Sequence, residues 1–484
     1  MKDGRAANIA AVGAAAIIAQ QTAAKVTRDT LFLSSHDAAA LPQAMLLAAG
    51  LALLAVLLLS RLQSDRGPGR VVPALALASG ALFGVEALAQ LWARPLTAYV
   101  VYVHVAVAGA ATISGFWSVI NERFDPHAAR RCIGRIAFGA TSGGVAGGLV
   151  ADRVATYLGT NYLLGLLAVL SVACAILVAA IAPRHHDTAV SPRRSGLEVL
   201  RTSPFLRRIG GVVLLLAFSA ALADFALKAK ADATMSTPDQ FASFFSLYYA
   251  SVGALTLLAQ TILTRRLLER FGVGATLAIL PTVFISLGCA AMLAARLAVV
   301  VLLRGAASVV ESSLHRSGYE LLYTPVATAD KRATKMLIDV AGVRIGDALG
   351  SGVVLLLVPL TDPARTLSLA IGLAVLAAAA ALALVRRMGR DYVAQLAQTL
   401  TDGSSRNGTL LTDKSSSSDL GSLAQTGIAD EDTLRLALWT VRCADDDCRR
   451  GAALEYLHNV LPARVRTTLW PRLSLPQTRA DDAR

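Results

Sequence analysis

Charge and aromatic rings are both scarce in this chain. Of 484 residues, 16% are charged and 6% aromatic, while 55% are hydrophobic. A soluble chain of this size carries more charge, so the balance excludes an ordinary soluble domain. Cysteine is scarce too. Cys132, Cys174, Cys289, Cys443 and Cys448 show neither metal-ligand spacing nor a disulfide framework, which suits a reducing compartment or lipid. No phosphate-binding P-loop occurs, because Gly143-Gly144 and Gly147-Gly148 lie inside an apolar run, where small-xxx-small spacing marks close helix packing. No Ser/His/Asp set and no metal set stands out, so nothing points to an enzyme, a cofactor or a bound metal. His185-His186 sit in a basic stretch and read as solvated. No cleavage site follows the first apolar run, which reads as a retained span.

What the chain does have is long apolar runs. About 12 reach the roughly 20 residues that a bilayer core demands. They fall near 7–24, 43–60, 71–92, 97–119, 133–151, 161–182, 209–227, 241–263, 273–295, 297–320, 336–359 and 366–385. Lys and Arg sort the connecting loops into about 24 on one side and about 8 on the other, a bias that puts both termini in the cytoplasm. The formal net charge of +13 is therefore a topology signal. No basic stripe interleaved with aromatics supports a nucleic-acid partner.

The first half recurs in the second at a fixed offset. Lys25 and Asp29 return as Lys228 and Asp232, each 203 residues later (228 − 25 = 232 − 29). Ser114-Gly115-Phe116 returns as Ser317-Gly318-Tyr319, and Gly139, Gly143 and Gly147 return as Gly342, Gly346 and Gly350. Parallel repeats in a chain of membrane spans are the mark of transporters whose halves rock about a central site. The expected architecture is all-α, with twelve transmembrane helices in two pseudo-symmetric six-helix bundles. Residues 1–182 form the first bundle and 209–390 the second. A cytoplasmic linker, 183–208, carries Pro183, Pro192 and Pro204. A Ser-rich stretch, 391–429, reads as a disordered tether. Residues 430–473 read as a pair of short amphipathic helices similar to one HEAT-type repeat, which cannot bury its apolar face alone. That pair would dock on the membrane domain or hold a protein partner.

Intramembrane charge is costly, so it marks partners or a wet cavity. Lys25, Arg28 and Asp29 end the first span, and Lys25 and Asp29 are spaced to pair on one face. Asp224, Lys228 and Lys230 end the seventh span, with Asp232 beyond. These charges either snorkel at interfacial ends or form two facing cationic clusters suited to an anionic substrate. Glu86 and His104 lie deeper. Arg304, Glu311 and His315 share the tenth span, at spacings that let Glu311 face both of the others. Lys335, Asp339, Arg344 and Asp347 alternate in sign along the eleventh. These inner charges read either as bundle-locking ion pairs or as gating and substrate groups.

At these residues the chain resembles the ATP/ADP carrier (nucleotide transporter) family, a branch of the major facilitator superfamily. KVTRDTLFL (25–33) is similar to the family's R-x-x-K-D-x-L element, with Lys25, Arg28 and Asp29 on its Arg, Lys and Asp. MSTPDQFASFFS (235–246) is similar to P-N-E-Y-S-x-F-M. KMLIDVAGVRIGDALGS (335–351) is similar to K-A-A-I-D-V-x-x-x-R/P-x-G-K-S-G-G, with Lys335 and Asp339 on its Lys and Asp. Gln240 stands where the family has an acid, and Asp347 where it has a Lys. ALEYLHNVLP (453–462) is similar to the HEAT-type repeat that some members carry. The resemblance implies secondary transport by alternating access in the inner membrane, with exchange of nucleotides or other organic anions. Lys25, Arg28, Asp29, Lys228, Lys335 and Asp339 would then bind substrate. Glu86, Arg304, Glu311, Arg344 and Asp347 would form gating or charge pairs. Two alternatives remain: a neutral or lipid-like substrate, since acidic groups dilute the positive cavity, and a membrane-anchored scaffold or sensor.

Overall fold

The computed structural model describes residues 2–123, 126–181, 196–294, 296–323, 326, 330–331, 334–335, 337–406, 431–443, 453–454, 456–457 and 460. The described elements are helical throughout. In the first half they are α1 (Lys2–Leu33), α2 (Leu41–Arg66), α3 (Pro68–Ala89), α4 (Arg94–Arg123), α5 (Pro126–Tyr157) and α6 (Leu163–Ile181). A short α7 (Gly196–Thr202) precedes α8 (Pro204–Asp232), α9 (Pro238–Leu258), α10 (Thr264–Leu293), α11 (Leu297–Val310) and α12 (Arg316–Leu322). Then come α13 (Val343–Leu357), α14 (Pro363–Arg406) and α15 (Glu431–Cys443).

Local chemistry sets several helix starts. Proline sits in the first turn of α2, α3, α8 and α9, where its missing N–H costs nothing. Ser203 accepts from the Leu206 N–H at 3.3 Å and caps α8. Thr237 and Gln240 form a reciprocal capping box on α9. The Gln240 carboxamide therefore does a capping job that needs no acid. Within α10 the helical run breaks at Gly272, whose φ of 74° lies in the left-handed region open to glycine. That break separates a loop segment from the ninth span.

Among the described residues, eleven helical segments are long and apolar enough to cross a membrane. That is one fewer than expected. The expected fifth span, 133–151, lies within α5, whose glycines and Arg135 make it less apolar. Its job is packing. A Cβ on Gly139, Gly143 or Gly147 would fall 2.4, 2.1 or 2.2 Å from the carbonyl oxygens of Ala11, Ala15 and Ala19, so α5 lies directly on the α1 backbone. The repeat reproduces this contact between α13 and α8. A Cβ on Gly346 would meet the Leu214 carbonyl at 2.7 Å, and one on Gly350 the Phe218 carbonyl at 3.1 Å. Gly342 is looser, 3.4 Å from Val213.

The halves meet along three helix pairs above all: α5 with α9, α2 with α13 and α1 with α9. Their apolar cores are three. One, around Ile17, Phe116 and Ile136, belongs to the first half alone. A second lies wholly after residue 196. The third, at the end of the molecule away from the N-terminus, is shared: Phe32, Phe83 and Tyr102 pack with Leu222, Phe241 and Phe245. The halves are thus sealed together at that end and keep separate cores at the other.

Beyond the last span, α14 continues to Arg406, so residues 391–406 are helix where a disordered tether was expected. Residues 407–430 lie outside the described residues, as do residues 182–195 of the expected linker. Leu434, Leu436, Ala437 and Val441 of α15 join Ala453, Tyr456, Leu457 and Val460 in the core of the second half, beside Met388, Tyr392 and Leu396. α15 therefore packs against α14, while residues 444–452 and 461–473 of the expected helical pair lie outside the described residues.

Candidate functional site

Four cations and two carboxylates converge where the halves meet. On α1, Lys25, Arg28 and Asp29 share one face (i, i+3, i+4). On α8, Asp224 and Lys228 are one turn apart. Arg304 comes from α11, Tyr102 from α4 and Tyr249 from α9. At 1.5 Å rise per residue, Asp224 and Arg304 lie roughly 10–12 Å in from the sealed ends of their helices. Asp29 and Lys228 are buried, 1% and 0% exposed. They are not groups snorkelling to an interface.

Partnering is dense. Asp29 takes the Arg28 guanidinium at 2.8 Å, the Lys228 ammonium at 3.1 Å and the Tyr249 hydroxyl at 2.7 Å. Lys228 also reaches Asp224 at 2.7 Å and donates to the Tyr102 hydroxyl at 3.1 Å. Arg304 reaches Asp224 at 3.4 Å and donates to the Ser308 hydroxyl at 2.5 Å. The Arg28 guanidinium stands 4.8 Å from the centre of the Tyr102 ring, a cation–π distance. Lys25, expected to pair with Asp29, does not. Its ammonium stands 5.8 Å from the Tyr249 ring centre, and among the described residues it has no ion-pair partner. Asp29 is already filled by closer cations from its own helix and from the opposite half. Lys25 is exposed, so solvent reaches the cluster there.

Three of these contacts cross between the halves: Asp29 to Lys228, Asp29 to Tyr249, and Lys228 to Tyr102. With four cations against two carboxylates the cluster carries a formal surplus of +2. Inside a low-dielectric wall that surplus attracts an anion far more strongly than a surface patch would.

Lys335 and Asp339 do not join this cluster. Lys335 pairs with Glu320 at 2.5 Å. Asp339 accepts from the Tyr319 hydroxyl, and Tyr319 bonds Tyr323 at 2.9 Å. Arg316 reaches Glu320 at 3.2 Å and Asp339 at 4.0 Å. Glu320 lies sixteen residues beyond Arg304 on the tenth span, about 24 Å along the axis. The expected Lys335–Asp339 pair is absent because a π-helical stretch, Leu337–Gly342, begins between them and shifts the angular register. The same effect separates Glu311 from His315: both lie in the π stretch Glu311–His315. Glu311 is exposed without an ion-pair partner among the described residues, and Arg304, expected on its face, turns to Asp224. His315 is buried.

Two other expected groups pair locally. Glu86 accepts from His104 Nδ1 at 3.0 Å, and the His104 Nε2 meets the Ser79 hydroxyl at 2.9 Å, with the Phe83 ring 4.2 Å away. This pins α3 to α4 behind the cluster, because His104 lies two residues, about 200° of helix rotation, from Tyr102, which faces Lys228 and Arg28. Arg344 and Asp347 pair at 3.0 Å within α13.

Sequence reasoning missed the tyrosines Tyr102, Tyr249, Tyr319 and Tyr323, and the pairing of Arg316 with Glu320. Aromatics were read only as scarce. Their placement in spans that also carry charge was a usable signal.

The TLC ATP/ADP transporter family model matches residues 168–392. No curated protein sequence matches the chain. Among solved structures it is similar to the nucleoside transporter NupG (14% identity, TM-score 0.57, covering 78% of this chain and 98% of that one). It is similar to the peptide-family (POT) transporter PepTSo (13%, TM-score 0.60, 79% and 98%). It is also similar to the human organic anion transporter MFSD10 (15%, TM-score 0.54, 80% and 100%). At such identities the likeness establishes the fold. The family match and the transporter fold together make this chain a multi-pass, non-enzymatic, ATP/ADP carrier-like secondary transporter, with the TLC domain over residues 168–392.

Proposed function

We propose that this transporter moves a nucleotide or a closely related organic anion by alternating access, with the cross-half cluster as its substrate site. The observation that carries this reading is the surplus of cations over carboxylates at the junction of the halves, walled by Tyr102 and Tyr249. Lys25 and Arg28 meet the phosphates or carboxylates. Asp29, Asp224 and Lys228 hold the site's geometry while it is empty. The half-buried Tyr249 ring offers a flat face to a base, while the Tyr102 ring is already covered by Arg28. Lys335, Asp339, Arg316 and Glu320 guard the opposite end of the tenth and eleventh spans as a gate, with Arg344–Asp347 beside them. The division into bundles 1–182 and 209–390, with a docked helical tail that regulates or holds a partner, belongs to the same proposal.

The protein resides in the inner membrane with both termini in the cytoplasm, a reading that rests on the basic-residue asymmetry. Asp37→Cys, in a background without native cysteines, should react with a membrane-impermeant thiol reagent added from outside. Protection there combined with reactivity of Thr202→Cys reverses the orientation.

Transport itself is tested in proteoliposomes preloaded with ADP. External ATP or ADP should drive loss of internal label, and adenosine should not. Equal loss with adenosine would favour the neutral-substrate alternative.

A further inference from the structure

Buried polar atoms without partners are uncommon in native structures, and each calls for an explanation. Among the described residues seven side-chain atoms are in this position. Five of them fall in two short stretches: Thr30 Oγ1, Ser35 Oγ and His36 Nδ1 at the end of α1, and Gln90 Oε1 and Arg94 Nε at the α3–α4 turn. The two stretches touch, since Arg94 Nη2 donates to the Ser34 hydroxyl at 3.4 Å. Thr30 is fully buried and lies one turn below Ser34 on the same helix face, its carbonyl accepting from the Ser34 N–H at 3.0 Å.

The groups share a chemistry. Arg94 forms no ion pair among the described residues, and it begins α4, where the helix dipole also favours negative charge. The neighbouring Asp37 is exposed and does not pair with it. The Thr30 and Ser35 hydroxyls and a ring nitrogen of His36 supply further donors, while the Ser34 hydroxyl donates to the Leu31 carbonyl at 3.1 Å and accepts from Arg94. The His36 ring is fixed between Phe32 at 5.0 Å and Tyr99 at 4.7 Å. In the second half the repeat puts Thr237 at the Ser34 position, and its hydroxyl is taken up by the α9 capping box.

We propose that Arg94, Ser35 and His36 form a phosphate-class oxyanion site on the first half, with Ser34 holding the Arg94 guanidinium, at the sealed end and apart from the central cluster. An arginine fork with flanking hydroxyls matches a tetrahedral oxyanion. The occupant is a phospholipid headgroup or free phosphate. The lipid source has support in Trp92, Leu91 and Leu96, which are 82%, 65% and 68% exposed beside Arg94, as an interfacial anchor would be.

The purified full-length protein tests this with two probes. In detergent, inorganic phosphate is titrated against thermal unfolding. In nanodiscs of phosphatidylglycerol or of phosphatidylcholine, retained lipid is read by native mass spectrometry. Arg94→Gln should lose about ten- to a hundredfold in affinity for the occupying probe, the fold-change of one charge-assisted hydrogen-bonded contact. His36→Gln should lose less and serves if Arg94→Gln does not fold. Phosphate stabilisation that the substitution abolishes identifies free phosphate. Selective retention of phosphatidylglycerol that the substitution abolishes identifies a lipid headgroup. If neither probe distinguishes wild type from both variants, the proposal is wrong.

Discussion

Lys228 shows how one residue ties the two halves together at the proposed substrate site. It is fully buried and meets Asp29 from the first half, Asp224 from its own helix and the Tyr102 hydroxyl from α4. A buried ammonium with two carboxylates is stable only while all three are present. Removing one partner of such a set leaves uncompensated charge and costs roughly 3–5 kcal/mol. Lys228→Ala should therefore lower thermal stability by several degrees in detergent. Lys25→Gln, which removes an exposed group with no ion-pair partner among the described residues, should leave the unfolding midpoint nearly unchanged. Equal midpoints for Lys228→Ala and wild type would mean the cross-half ion pairs contribute little. At this scale the sequence was only partly legible. Lys25, Arg28, Asp29 and Lys228 could be named from charge in apolar runs. Their partners could not, because the choice among nearby opposite charges is set by which helices meet. Spacing along one helix suggested Lys25–Asp29 and Lys335–Asp339, and tertiary neighbours won in both places.

At the scale of the element, glycine spacing decides which helices touch backbone to backbone. The ladder on α5 and its repeat on α13 were readable as packing stripes before any fold was known. Against α1 the contact is so close that any side chain must push the helices apart. Gly143→Leu should destabilise by about 1–3 kcal/mol or more, the cost of overpacking a filled interface. Gly165→Leu, where a Cβ would meet nothing within 4 Å, should be nearly neutral. Thermal unfolding of the two variants checks the contrast, and equal losses would remove the close-packing account. What the pattern could not reveal were the π stretches Ala259–Leu263, Glu311–His315 and Leu337–Gly342. Each inserts into a run whose hydrophobicity looks uniformly helical, and the last two fall among charges whose pairing had been read from α-helical spacing. Residues 391–406 of the expected tether are helix, which composition alone does not show. Composition favours disorder at 399–427, yet α14 carries its helical hydrogen bonding on through Arg406 and offers Tyr392 and Leu396 for the tail to cover.

The whole molecule is two similar halves joined at one end by a shared apolar core and by cross-half polar contacts, the three of the cluster and the Ala38 N–H to Asp232 bond at 3.0 Å among them. At the other end the halves keep separate cores. Such a shape suits a carrier open on one side, since the polar contacts at the seal are the ones an incoming anion would disturb. An anion on Lys25 and Arg28 competes with Asp29 for cations, and Asp29 is the residue that holds Lys228 and Tyr249 across the junction. On the proposed site, substrate charge and closure of the halves would be the same electrostatic event, since a ligand shifts the halves only through such differential contacts. The repeat and the spans revealed the two halves from sequence alone. The seal was not legible, because Phe32, Leu222 and Phe245 look like any other apolar residues until they are brought together.

The measurement that bears most directly on this account is equilibrium binding of ADP and of adenosine to wild type and to Lys25→Gln, repeated at low and high salt. The cluster's positive surplus predicts that ADP binds more tightly than adenosine. It also predicts that salt weakens ADP alone and that Lys25→Gln weakens ADP about tenfold or more while leaving adenosine unchanged. ADP affinity indifferent to both salt and Lys25→Gln, in protein that unfolds like wild type, would contradict the claim that this cluster recognises the anion.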